Sequence, residues 1–147
     1  MDASTPTREE YHEAGHCVVA LALDYHVTWV QMSGGGGNTI CEKPPLDTDD
    51  QVCNAIVHAF AGMRAEIIHE PQWEPRAMAC IGDLLVAGGF VPQLKQRRPP
   101  LELCSELIQR ADRLLRTNWP AVERIAAALH ERGRLHSEEV KRLFRGN

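Results

Sequence analysis

The chemistry in this sequence is concentrated in one pentapeptide, His12-Glu13-Ala14-Gly15-His16. On a helix, residues four apart share a face, so both imidazoles can reach one metal ion. Glu13 is turned from them by one residue step and can flank that ion, where it would take a proton from an activated water. Zinc suits such work: it is redox-inert, accepts nitrogen and oxygen ligands, and lowers the pKa of its water to about 7. With seven histidines in 147 residues, composition alone yields roughly 0.03 such matches per chain, so coincidence is a poor account of the motif. Gly15 points the same way. A glycine inside a helix costs up to ~1 kcal/mol relative to alanine, and close approach of another backbone would explain one here.

A catalytic zinc usually takes three protein ligands and keeps a position for water. The remaining histidines, His26, His58, His69, His130 and His136, read more simply as surface or helix-end residues. Asp83 is the better third candidate. It is the only charge between Ala77 and Ala87, it is a poor helix former, and a carboxylate buried among Ile81, Leu84 and Leu85 would need a strong partner. Glu66 lies near the end of an amphipathic segment that His69-Glu70-Pro71 closes. It reads as an exposed carboxylate, or as a partner that orients a ligand imidazole.

The elements that must position these residues are mostly helical. Thr7 and Glu10 have capping-box spacing and predict a helix to about Leu23. Val27 to Met32 is β-rich and alternating, Gly34 to Gly37 must turn, and Asn38 to Cys41 returns, which predicts a β-hairpin. No Lys-Ser/Thr follows the four glycines, so they read as a flexible turn rather than a phosphate loop. Thr48 and Gln51 repeat the capping-box spacing ahead of a long helix carrying Val52, Ile56, Ala59, Phe60, Met63 and Ile67. Pro75 would open the next helix, which runs to Gly88-Gly89.

The last third is helical too. Leu103, Leu107, Ala111, Leu114 and Leu115 form one stripe. Asn118 and Pro120 start a helix bearing Val122, Ile125, Ala126 and Leu129, which Gly133 ends. Ser137 would cap a short final helix with Val140, Leu143 and Phe144. The expectation is a mainly α fold, about six helices around a small two-stranded hairpin, forming a single domain over residues 1–147.

Composition narrows the partners. A hydrophobic fraction of 44% and a charged fraction of 24% are ordinary for a globular chain, and the length suffices for one core. The apolar run Cys17 to Leu23 is short of the ~20 residues a bilayer span needs. Met1 to Glu10 is polar and acidic, unlike a secretory signal. Both observations favour a cytoplasmic protein with no membrane partner. A net charge of -4 argues against nucleic acid, and Lys95, Arg97 and Arg98 read as a solvated loop. The five cysteines, Cys17, Cys41, Cys53, Cys80 and Cys104, contain no CxxC pair and read as reduced thiols.

Taken together in their order, these segments resemble the peptidase domain of the FtsH-type ATP-dependent zinc metalloproteases. The likeness rests on Tyr11-His-Glu-Ala-Gly-His16 with its small apolar run, and on the hairpin from Val27-Thr28 to Thr39-Ile40. It extends through Ala61-Gly62-Met63-Arg64-Ala65-Glu66, similar to that family's Gly-Gly-Arg-x-Ala-Glu segment, to Gly82-Asp83-Leu84. It closes with Leu135 and Ser137-Glu138-Glu139-Val140. Ala61 stands where the family has its first glycine, and Met63 also departs from the pattern. The resemblance implies an FtsH peptidase domain-like fold, Zn2+ on His12, His16 and Asp83, and Glu13 as general base. The family's ATPase module and membrane anchor have no counterpart in these residues.

The function expected is that of a zinc-dependent endopeptidase cutting flexible or unfolded polypeptide, with an ATPase unfoldase in trans as the partner for folded substrates. A hairpin edge strand could hold such a substrate in extended form. The alternative is a non-proteolytic zinc-binding module with an interaction or regulatory role. Glu13 argues against it, since a structural site needs no base.

Overall fold

The computed structural model describes residues 4–34, 36–72 and 77–147, and for 77–82 the backbone alone. Gly35 of the expected turn, the helix start at Pro75, and the side chains of Ala77, Cys80 and Ile81 lie outside these residues. The chain runs α1 (Arg8–Ala22), β1 (His26–Ser33), β2 (Gly36–Glu42), α2 (Asp49–His69), α3 (Ala77–Phe90) and a 3-10 turn at Val91–Gln93. It continues through α4 (Pro100–Thr117), α5 (Trp119–Arg132), β3 (Arg134–His136) and α6 (Ser137–Arg145). Among the described residues the fold is mainly helical, with six helices and one small antiparallel sheet.

Both expected capping boxes form. The Glu10 carboxylate accepts from the Thr7 N–H at 2.6 Å. At the head of α2, Gln51 N–H donates to Thr48 Oγ1 at 3.2 Å while its side chain accepts from the Thr48 N–H at 3.0 Å. These contacts satisfy backbone donors that the first helical turn leaves without partners. They also fix where α1 and α2 begin, and hence which faces His12, His16 and Glu66 present.

The sheet has three strands, not two, in the order β2-β1-β3. Gly133, at φ +73°, ends α5 in the left-handed region and turns the chain into β3. There Leu135 pairs with Val30 and is completely buried. The pairing of β1 with β2 slips by one residue at Thr28, between Val27 and Trp29. That bulge resets the two-residue alternation, so Val27 and Val30, three apart, both enter the core. Gly36 and Gly37 belong to β2 rather than to the turn.

A single cluster of buried side chains runs through α1, α2, α4, α5 and the sheet, centred on Leu107, Leu115, Ile125, Leu129 and Leu135. On α4 the buried positions are Leu103, Leu107, Ala111 and Leu115, one stripe at four-residue spacing, with Leu114 only half-buried at its border. The α1–α2 crossing is very tight. A Cβ on Gly15 would lie 2.6 Å from Ala65 Cβ and 2.7 Å from the Ala61 carbonyl oxygen, so the helices can meet here only through glycine. Arg64 ties α2 to α4 through two hydrogen bonds to Asp112, at 2.8 and 2.9 Å.

Helix ends differ slightly from expectation. α3 continues through Gly88-Gly89 to Phe90, and α6 begins at Ser137 with His136 at the cap position. No helix among the described residues is long and apolar enough to cross a membrane. Cys17 and Cys53 are buried, Cys41 is half-buried and Cys104 is exposed, all as free thiols.

Candidate metal centre

The close α1–α2 contact sets the two histidines against the middle of α2. His12 and His16 lie one turn apart, with their Nε2 atoms 3.2 Å from each other. Asp83 reaches them from α3: Oδ2 is 3.3 Å from His12 Nε2 and Oδ1 is 3.5 Å from His16 Nε2. One donor atom from each of the three residues falls within 4.8 Å of the others, and the group could hold a metal ion.

Each imidazole is oriented from behind. His12 Nδ1 donates to Glu66 Oε1 at 2.7 Å. His16 Nδ1 donates to the backbone carbonyl of His58 at 3.0 Å. A carbonyl only accepts, so this bond places the ring proton on Nδ1 and leaves the His16 Nε2 lone pair facing inward. Arg8 Nε lies 3.4 Å from the other oxygen of Glu66, so that carboxylate bridges two residues of α1.

Two features indicate room and demand for a cation. Asp83 Oδ2 is buried and accepts no hydrogen bond among the described residues, its 3.3 Å contact with His12 Nε2 being an ion pair only, a costly state for a carboxylate oxygen. Gly62, one turn after His58, faces both rings. A Cβ there would sit 2.5 Å from the Nε2 of His12 and 2.5 Å from that of His16. Glycine keeps the space between the imidazoles open.

The electrostatics agree with a site that expects positive charge. Burial lowers the pKa of His12, but the Asp83 carboxylate beside it and its hydrogen bond to Glu66, aided by the Glu13 charge, raise it to about 9. Burial pushes the Asp83 carboxyl up, while the two imidazoles hold it well below the usual carboxylate range. Without a metal, the proton on His12 supplies the balancing charge.

Glu13 is buried, at 6% exposure. Its Oε2 accepts from the Thr39 hydroxyl of β2 at 2.7 Å. Glu66, expected at the surface or as an orienting partner, is 2% exposed and makes the orienting contact. The described side chains that follow Asp83 on α3 are the reverse of those expected. Leu84, Leu85 and Val86 are exposed, Leu85 at 72%, and Asp83 itself turns inward because the imidazoles lie there.

His58 also departs from expectation. It is buried in the middle of α2, and burial holds its pKa well below the ordinary histidine value. His26 and His136 are exposed, His69 stacks on Tyr11 at the end of α2, and His130 bonds to Glu10 at 3.0 Å. The His58 carbonyl, Gly62 and Thr39 escape sequence reasoning. A backbone acceptor, a missing Cβ and a strand hydroxyl have no signature in residue spacing. Compared with known proteins, the chain matches no family model and no curated protein.

Proposed function

We propose that this protein is a zinc-dependent endopeptidase of the FtsH peptidase type, hydrolysing peptide bonds in flexible or unfolded polypeptide. The observation that carries the reading is the convergence of His12, His16 and Asp83 around the space Gly62 leaves open, with the charge of Glu13, the next residue of α1, acting on His12. Donors ~2.0–2.1 Å from a tetrahedral zinc ion lie about 3.4 Å apart. The 3.2 Å between the Nε2 atoms of His12 and His16 fits that spacing. Asp83 brings a different oxygen to each ring, Oδ2 at 3.3 Å from His12 and Oδ1 at 3.5 Å from His16. Two imidazoles with one carboxylate are a suitable donor set for a catalytic zinc.

His12, His16 and Asp83 would hold the ion, and Glu66 and the His58 carbonyl would keep the two rings in place. Bound zinc supplies Lewis acidity, which lets water ionise near neutral pH and polarises a peptide carbonyl. Glu13 accepts the proton of the attacking water and afterwards delivers it to the leaving amine. Among the described residues β2 pairs only with β1, so its outer edge is open to an extended peptide by β-augmentation. His12 and Glu13 are only 5% and 6% exposed, which favours a thin, extended substrate over a folded one. Folded proteins would then need an unfoldase in trans.

The test is zinc analysis of the purified protein together with cleavage of an unfolded polypeptide by wild type and Glu13→Gln. A regulatory module that merely keeps its zinc would bind the metal and hydrolyse nothing in either form.

A further inference from the structure

β2 grips the side chain of Glu13 at two points. Thr39 Oγ1 donates to Glu13 Oε2 at 2.7 Å and lies 3.4 Å from the Glu13 backbone carbonyl. Gly37 packs against the same side chain. A Cβ there would come within 2.5 Å of Glu13 Cγ and 3.0 Å of Cδ. On its other side, Thr39 Oγ1 is 3.8 Å from the Cys17 sulfur. A hydroxyl has one proton to give, so with that proton committed to Glu13 it serves Cys17 only as an acceptor.

This arrangement treats the two carboxylate oxygens differently. Oε2 is occupied by a strand hydroxyl, and Gly37 fixes the path of the side chain that carries it. Resting on the peptidase reading above, we propose that Thr39 is a positioning residue for Glu13: by holding Oε2 it presents Oε1 to the reacting water. In the step itself, one O–H bond of the water breaks and its proton bonds to Oε1. The electron pair left on the water oxygen forms a bond to the peptide carbonyl carbon as the C=O π pair moves onto the carbonyl oxygen. Thr39 neither gains nor loses a proton; it sets which oxygen receives one and from what direction.

Thr39→Val keeps the shape and removes the donor, and Thr39→Ser restores the donor. With the full chain, zinc and an unfolded polypeptide substrate, Thr39→Val should lower kcat about ten- to a hundredfold, the scale of a misplaced catalytic group. KM and zinc stoichiometry should stay at wild-type values, and Thr39→Ser should recover most of the lost kcat. Wild-type kcat in Thr39→Val, or equal losses in both variants, would overturn the proposal. A second readout is independent of turnover: denaturant unfolding of Thr39→Val, Glu13→Ala and the double variant. The proposal expects the double variant to lose less stability than the sum of the two single losses. Additive losses in an active wild type would overturn the role of Thr39 alone. Coupled losses in a wild type that hydrolyses nothing would sink the peptidase reading, and the catalytic role of Thr39 with it.

Discussion

His12 on α1 and Glu66 on α2, 54 residues apart in sequence, are joined by a 2.7 Å hydrogen bond from the imidazole Nδ1 to the carboxylate Oε1. This bond fixes the ring so that its other nitrogen faces His16 and Asp83. Removing an orienting partner of this kind typically lowers metal affinity about 10- to 100-fold. Glu66→Ala should therefore weaken metal binding by that factor, and Asp83→Ala, which deletes a donor, should weaken it further. A competitive titration against a chelator measures both. The reverse order would place Glu66 among the ligands and Asp83 outside them.

Gly62 offers a sharper test of where the ion sits. Gly62→Ala adds one methyl group 2.5 Å from each ligand nitrogen, a spacing that forces the imidazoles apart. The variant should fold, with a loss of about 1–3 kcal/mol for overpacking, and lose at least about tenfold in metal affinity by the same chelator titration. Wild-type affinity in Gly62→Ala would mean that the two rings do not converge on a shared ion.

The site should release a proton when it takes up metal. In the metal-free protein Asp83 and Glu66 override the effect of burial and keep His12 protonated up to about pH 9. Metal binding requires the neutral ring. Between pH 7 and 8.5 the ion should therefore displace about one proton, and the apparent affinity should rise with pH before levelling above about 9. Calorimetric titration in buffers of different ionisation enthalpy counts the protons. An affinity unchanged across that interval would contradict the protonated state of His12.

What was legible in the sequence follows the range of the interactions. α1 could be read almost residue by residue, because its cap and its His-Glu-x-x-His spacing are local relations. The meaning of Gly15 was also legible, since an unfavourable helix residue implies a close neighbour, and that neighbour is Ala61-Ala65. Asp83 stands out in the sequence for its apolar flanks, of which Leu84 and Leu85 are exposed. What buries it is a contact with α1 imidazoles some seventy positions away, which no sequence window can express. β3 was missed because three residues carry no periodicity, and its identity as a strand comes entirely from pairing with β1. The exposed reading of Glu66 failed for the same reason as the surface reading of His58: α1 covers that face of α2.

The peptidase chemistry is decided by comparing zinc-loaded wild type and Glu13→Gln in one assay for bound metal and for cleavage of an unfolded polypeptide. The amide preserves the shape of Glu13 but cannot accept the water's proton. Both proteins should hold about one zinc per chain, the wild type should hydrolyse the substrate until a chelator is added, and the variant should lose at least about a hundredfold in kcat. Equal hydrolysis by the two proteins would remove Glu13 from the chemistry, and a wild type that takes up no zinc would rule out a metal centre at His12, His16 and Asp83.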